Sequence, residues 1–193
     1  MRVFLAGASG VVGRSLLGLL RDAGHEVVGM TRSPQRAEEI RSRGSEAVLC
    51  NVFDLDALRS AITEAKPDAV IHELTDLPAR LDPRKYGKQL AGTNRIRREG
   101  TANLVAAARD AGVSRFLAQS VAFAYAPAGE WVKGEDAPLA LDAPAPMGEA
   151  VAAVAELERQ VLEFGGIVLR YGFFYGPGTA FASDGFYAEL ARK

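Results

Sequence analysis

Cysteine is almost missing from this chain: Cys50 is the only one in 193 residues. An intramolecular disulfide is excluded, a disulfide-built scaffold goes with it, and a reducing compartment is the expectation. Long apolar runs are missing too. The first, Val3 to Ala6, is broken at once by Gly7 and Gly10, too short for a signal peptide's apolar core. Nothing approaches the ~18–20 residues of a membrane span. Net charge is only −1, so neither nucleic acid nor an anionic membrane is attracted in bulk. What is present is ordinary: 48% hydrophobic and 24% charged residues, which excludes disorder and low-complexity sequence as descriptions of the whole. The expectation is a soluble, cytoplasmic protein with one domain over residues 1–193.

Short apolar runs alternate with longer helical stretches. Val3 to Leu5, Val27-Val28, Ala47 to Leu49, Ala69 to Ile71, Phe116-Leu117 and Ile167 to Leu169 are the strand candidates. None alternates apolar with polar, a pattern suited to strands covered on both faces of a parallel sheet. Between them, Leu16 to Leu20 lead to a stop at Gly24, and Ser33-Pro34 opens a helix toward Gly44. Asp54 caps a helix carrying Leu55, Leu58, Ala61 and Ile62. Two long helices are predicted, about Lys88–Ala111, stopped by Gly112, and about Met147–Phe164. This alternation predicts a doubly wound α/β Rossmann fold with a parallel sheet in the order 3-2-1-4-5-6.

Gly7, Gly10 and Gly13 follow the first strand directly and open the first helix. The first glycine permits a tight turn, the second lets backbone approach a pyrophosphate, and the third lets helix and strand pack closely. The free N–H groups and positive helix end would hold the phosphates. The GxxGxxG spacing resembles the NAD-dependent epimerase/dehydratase family of extended short-chain dehydrogenases/reductases. Other segments match in order: Pro67 to His72, Glu99 to Leu104, Arg115 to Ser120, Glu135 to Pro138, and Leu169 to Gly178 with its LRxxxxYGPG pattern. The resemblance implies a dinucleotide partner contacted by Gly7, Ser9, Gly10, Val11, Val12 and Gly13. Arg32, Arg36, Asn51, Val52 and Leu74 complete that set.

An acid at the end of the second strand would accept the ribose hydroxyls of NAD; here Arg32 stands there, with Arg36 one helical turn on. A guanidinium can pair the 2′-phosphate of NADP, so NADP is favoured over NAD. Asn51 stands where the family usually has an aspartate beside the adenine.

The family's Ser, Tyr and Lys move and orient the proton. Met147 falls at the Tyr position, Val151 at the Lys position and Val121 at the Ser position, and no Y-x-x-x-K exists anywhere in the chain. The long-helix Asn of the family is Arg97 here. Standard catalysis by the standard residues is therefore not expected, and cofactor binding without it is the favoured reading. The alternatives are an NADPH-dependent oxidoreductase or epimerase, acting on a carbonyl or sugar-nucleotide-like small molecule with Tyr125 or Ser120 as proton donor, and a non-catalytic interaction module. His72 to Asp76 offers acids and a histidine at a strand end and reads as structural, so no metal site is expected. His25 reads as a surface turn residue.

In the family a further strand and a substrate domain follow the YGPG motif, whereas Thr179 to Lys193 are all that follow it here; the sequence reads as a short form or as the N-terminal part of a longer member. A homodimer through the helices near 88–111 and 147–164 is expected. Small residues such as Ala102, Ala106 and Ala152 permit close approach there, and Glu149, Glu156 and Glu163 would face the basic start of the first helix.

Overall fold

The structure is a computed structural model that describes residues 1–78 and 80–192. Six strands form one parallel sheet in the order β3-β2-β1-β4-β5-β6, as expected. They are β1 (Arg2–Ala6), β2 (Glu26–Thr31), β3 (Glu46–Leu49), β4 (Ala69–His72), β5 (Arg115–Val121) and β6 (Ile167–Tyr171). The register runs from Arg2↔Glu26 to Ala6↔Met30 on one side of β1, and from Val3↔Ala69 to Ala6↔His72 on the other. Chain order reverses at β1, which leaves a crevice at the carboxyl ends of β1 and β4.

The helices begin where their caps lie. In α1 (Val11–Asp22) the cap is Gly10, without a side-chain bond. In α2 (Pro34–Ser42) the Ser33 hydroxyl accepts from the Arg36 N–H at 3.4 Å. In α3 (Leu55–Ala65) the Asp54 carboxylate accepts from the Ala57 N–H at 3.0 Å. A cap of this kind is worth about 1 kcal/mol.

The first long helix differs from expectation. It runs as α4 (Tyr86–Arg95), a π-helical turn over Ile96–Gly100, and α5 (Thr101–Asp110). The wider turn lets Ile96, Gly100 and Thr101 all face inward, and a Cβ on Gly100 would already lie 3.2 Å from Val52. The second, α6 (Met147–Phe164), has the expected bounds, and α7 (Phe186–Ala191) closes the described chain.

The main core fills one face of the sheet, where Phe4, Met30, Leu58, Leu104, Phe116 and Leu157 are buried beneath α3, α5 and α6. Leu5, Leu17, Val27 and Ile40 fill the other face beneath α1 and α2. Two-sided cover holds for β1, β2 and β4 but not for β5 and β6. On β5, Phe116, Ala118 and Ser120 are buried, whereas Leu117, Gln119 and Val121 on the opposite face are half-buried. Ile167 on β6 is 57% exposed. The helix packed on these two strands is α6, so one of their faces stays open.

Some of the residues set out above for a two-fold pairing also bond within the chain. Arg98 donates to the Glu149 carbonyl and Arg109 to that of Glu163, while Arg159 holds the carboxylates of Glu156 and Glu163. No helix among the described residues is long and apolar enough to cross a membrane.

Candidate functional site

The turn after β1 has the geometry its glycines imply. Gly7 has φ +95°, and a Cβ on it would fall 2.7 Å from the carbonyl carbon and oxygen of Glu73. A Cβ on Gly13 would fall 2.1 Å from the Gly7 carbonyl oxygen. Neither position accommodates a side chain, because each neighbour is backbone. The Gly10 N–H donates to the Gly7 carbonyl at 2.9 Å, so the turn closes on itself and α1 starts immediately. The first N–H groups of that helix, on Val11, Val12 and Gly13, have no intrahelical acceptor. No acid stands in its first turn, so its positive end is uncompensated and fits a phosphate.

Neighbouring strand ends converge on this turn. The Ser9 hydroxyl lies 3.4 Å from that of Thr31 at the end of β2, placing Arg32 beside the loop. The Arg32 side chain is 61% exposed, with Nη2 3.9 Å from Asp76 Oδ1. Arg36 is exposed on the first turn of α2. Leu74, half-buried, abuts Gly7 and donates its N–H to His72 Nδ1 at 3.2 Å. Asn51 and Val52 are less free. The Asn51 side-chain oxygen already accepts from the Phe53 N–H at 3.2 Å, and the Val52 side chain is turned into the core. Beyond β4 an open cleft of about 440 Å³ is lined by Asp76, Leu77, Pro78, Lys85, Lys88 and Gln89.

Of the two residues that the sequence reading put at the relay positions, Met147 is 41% exposed and Val151 is buried. Met147 is the first residue of α6, and Val151 is 4% exposed, packed with Ala124 and Val154. The two candidate replacement acids belong to one ion-pair network. Ser120, 2% exposed, donates to Glu158 Oε1 at 2.5 Å. Arg170 grips both oxygens of Glu158 at 2.9 and 2.6 Å. The same guanidinium donates to the Tyr125 hydroxyl at 2.8 Å and lies 4.7 Å from that ring's centroid. Burial raises the Glu158 carboxyl, but Arg170 and Ser120 outweigh it and hold it below its ordinary value.

Three further groups are set by burial. His72 is fully buried, which pushes its imidazole down to about 4; Arg97, nearby, adds to this. Its Nδ1 accepts from Leu74, so Nε2 carries the hydrogen and donates to the Thr101 hydroxyl at 3.1 Å. Both ring nitrogens of His72 are thus engaged within the fold. Cys50 is a buried thiol, raised by burial and by Asp54. Arg97 is half-buried, makes no hydrogen bond or ion pair among the described residues, and is pulled down to about 10 by desolvation.

Glu73 was not singled out from the sequence as a site residue. It is 6% exposed, and Oε1 accepts from the Tyr171 hydroxyl at 3.1 Å. Its Oε2 is buried with no partner among the described residues. Burial pushes this carboxyl up to about 7 against the opposing hydrogen bond. An acid ending an apolar strand is the signal that could have found it.

A parallel sheet in this order, with a side-chain-free turn leading into a helix at the switch point, defines a dinucleotide-binding type of Rossmann domain. Residues 3–193 match the NAD dependent epimerase/dehydratase family, and the chain belongs to that family. It is 50% identical over 189 residues to a 3-diazoavenalumate denitrifying reductase of a Streptomyces species, covering 96% of this chain and 60% of that one. The chain thus spans about 60% of the length of this relative. WbmG of Bordetella bronchiseptica, solved with NAD and UDP, is 25% identical, with a TM-score of 0.71 over 92% of this chain and 55% of that one. The UDP-glucose 4-epimerase of Thermus thermophilus, solved with NAD, shares the fold at 23% identity, with a TM-score of 0.76 over all of this chain and 61% of that one.

Proposed function

We propose that this chain is the cofactor-binding part of an NADP(H)-dependent reductase that works without the tyrosine–lysine relay. The observation that carries this reading is the apolar pair Met147 and Val151 where the relay would stand, with Val151 sealed into a hydrophobic cluster. Gly7, Ser9, Gly10, Val11, Val12 and Gly13 hold the pyrophosphate, and Arg32 with Arg36 takes the 2′-phosphate. Asn51, Val52 and Leu74 border the adenine and ribose, the first two through what their turn and the core leave free.

When bound, the cofactor supplies a hydride. A carbonyl that accepts one becomes an alkoxide and needs a proton from its surroundings. A diazo group on a conjugated ring accepts one at its terminal nitrogen to give an aryl diazene. Its N–H proton then passes to water as the C–N bond breaks, N₂ leaves, and the ring carbon, which keeps the C–N electron pair, takes a proton back from water. That chemistry asks no proton of the protein. It suits apolar relay positions, and the identity to a diazo-compound reductase supports it. The hydroxyls of Tyr125 and Ser120 serve instead to hold the Glu158–Arg170 pair. At the carboxyl edge, Phe123 and Phe173 stack with centroids 5.2 Å apart, an exposed flat surface suited to a conjugated ring.

The test is anaerobic NADPH oxidation with a carboxylate-bearing aryl diazonium salt, against a panel of ketones and sugar nucleotides. The expected result is one N₂ released per NADPH consumed, with the panel inert. Turnover of the panel, or no saturable NADPH binding, would remove the reading.

A further inference from the structure

Glu73 is a buried acid whose surroundings do not balance its charge. One oxygen accepts from the Tyr171 hydroxyl and the other has no partner among the described residues. Its place in the fold gives this meaning. Its backbone abuts Gly7 at the end of β4, and its side chain reaches Tyr171 at the end of β6, so it spans the carboxyl end of the intervening β5. Arg32 lies on the opposite half of the sheet, at the end of β2. A dinucleotide with its pyrophosphate at Gly7–Gly13 and its 2′-phosphate at Arg32 must send its other half over β4 and β5.

Resting on the reading above, we propose that Glu73 is the counter-charge for the nicotinamide half of the cofactor: a carboxyl seated beneath the ring that is cationic when oxidised and neutral when reduced. A lone buried carboxylate is costly, which keeps Glu73 partly protonated near neutrality. A cationic ring alongside favours the ionised form, and a neutral ring does not. Oxidised cofactor therefore expels the Glu73 proton on binding, and ionised Glu73 in turn favours the oxidised form. The same charge stabilises the positive ring that develops as a hydride leaves.

Other groups leave this coupling to Glu73. Tyr171 is the titratable group in contact with it among the described residues, raised to about 12 and neutral in this range. His72 is bonded to Thr101 and its imidazole is neutral near pH 7, and Arg97 beside it, pulled down only to about 10, keeps its charge throughout this range. Arg170 is held by Glu158, Asp76 lies beside Arg32, and the Gly7–Gly13 turn carries no charged side chain.

The test is calorimetric titration of NADP⁺ and of NADPH at pH 7 in two buffers of different ionisation enthalpy, which counts protons. NADP⁺ should release about half a proton more than NADPH; the 2′-phosphate, common to both, cancels in the difference. NADP⁺ affinity should rise up to ~10-fold from pH 6 to 8 relative to NADPH. Glu73→Gln should abolish both differences. Tyr171→Phe, which keeps the acid but removes its hydrogen bond, should move the midpoint to higher pH. Equal proton counts for both forms, or a difference that survives Glu73→Gln, would overturn the role of Glu73 while leaving cofactor binding intact. Failure of both forms to bind would remove the functional reading, and this proposal with it.

Discussion

Gly13→Ala is expected to reduce NADPH binding at least ~100-fold, a loss of about 2.8 kcal/mol. The added Cβ would stand 2.1 Å from the Gly7 carbonyl oxygen and 2.8 Å from backbone atoms of Ala8. No rotamer relieves such a contact. The turn must open, and that moves the N–H groups of Val11 and Val12 off the phosphate position. Overpacking of this kind also costs about 1–3 kcal/mol of stability, so the unfolding midpoint should fall as well. Gly18→Ala in the same helix is the control. No atom of the described residues, its own helix's backbone and its chain neighbours aside, lies within 4 Å of its Cβ, and a helix-interior alanine is favoured by up to ~1 kcal/mol. It should bind NADPH normally and melt slightly higher. Equilibrium titration of cofactor fluorescence, read with thermal melts, checks both; normal NADPH affinity in Gly13→Ala would refute the phosphate role of the turn.

Arg32→Ala is expected to weaken NADPH binding by roughly 1.5–3 kcal/mol, about 10- to 150-fold. NADH binding should change little. Arg32 is largely exposed, and its contact with Asp76 at 3.9 Å is worth no more than ~1 kcal/mol. The guanidinium is therefore free to turn to a 2′-phosphate, where a charge-assisted pair gains more. Titrating both reduced cofactors against both proteins decides it, and equal weakening of the two would make Arg32 part of the scaffold alone.

The parallel sheet and its order were legible because apolar runs and glycine stops carry period and punctuation, which are local signals. Ser33 and Asp54 announced their caps for the same reason. The π-helical turn over Ile96–Gly100 was not legible: Ile96, Gly100 and Thr101 are all buried there, and Gly100 packs against Val52 in the distant turn after β3. The half-open faces of β5 and β6 escaped notice because an apolar run reads the same whether one face or two are covered. At the site, glycine positions survive translation into space, since each answers a contact within a few residues or with an adjacent strand. Ser120 and Tyr125 show the opposite case. Both are hydroxyls near the right strand ends, yet their partners Glu158 and Arg170 lie 38 and 45 residues away in sequence. Glu73 and Tyr171 are separated by 98 residues, and nothing local links them.

The most direct test of hydride transfer without a proton from the protein is the solvent isotope effect on NADPH oxidation with an aryl diazonium substrate. The rates kcat/KM in H₂O and D₂O should be equal within error, and Tyr125→Phe and Ser120→Ala should leave that ratio at unity. A solvent effect of about 2 or more that disappears in Tyr125→Phe would mean that a protein hydroxyl delivers a proton in the rate-limiting step, and would contradict the account.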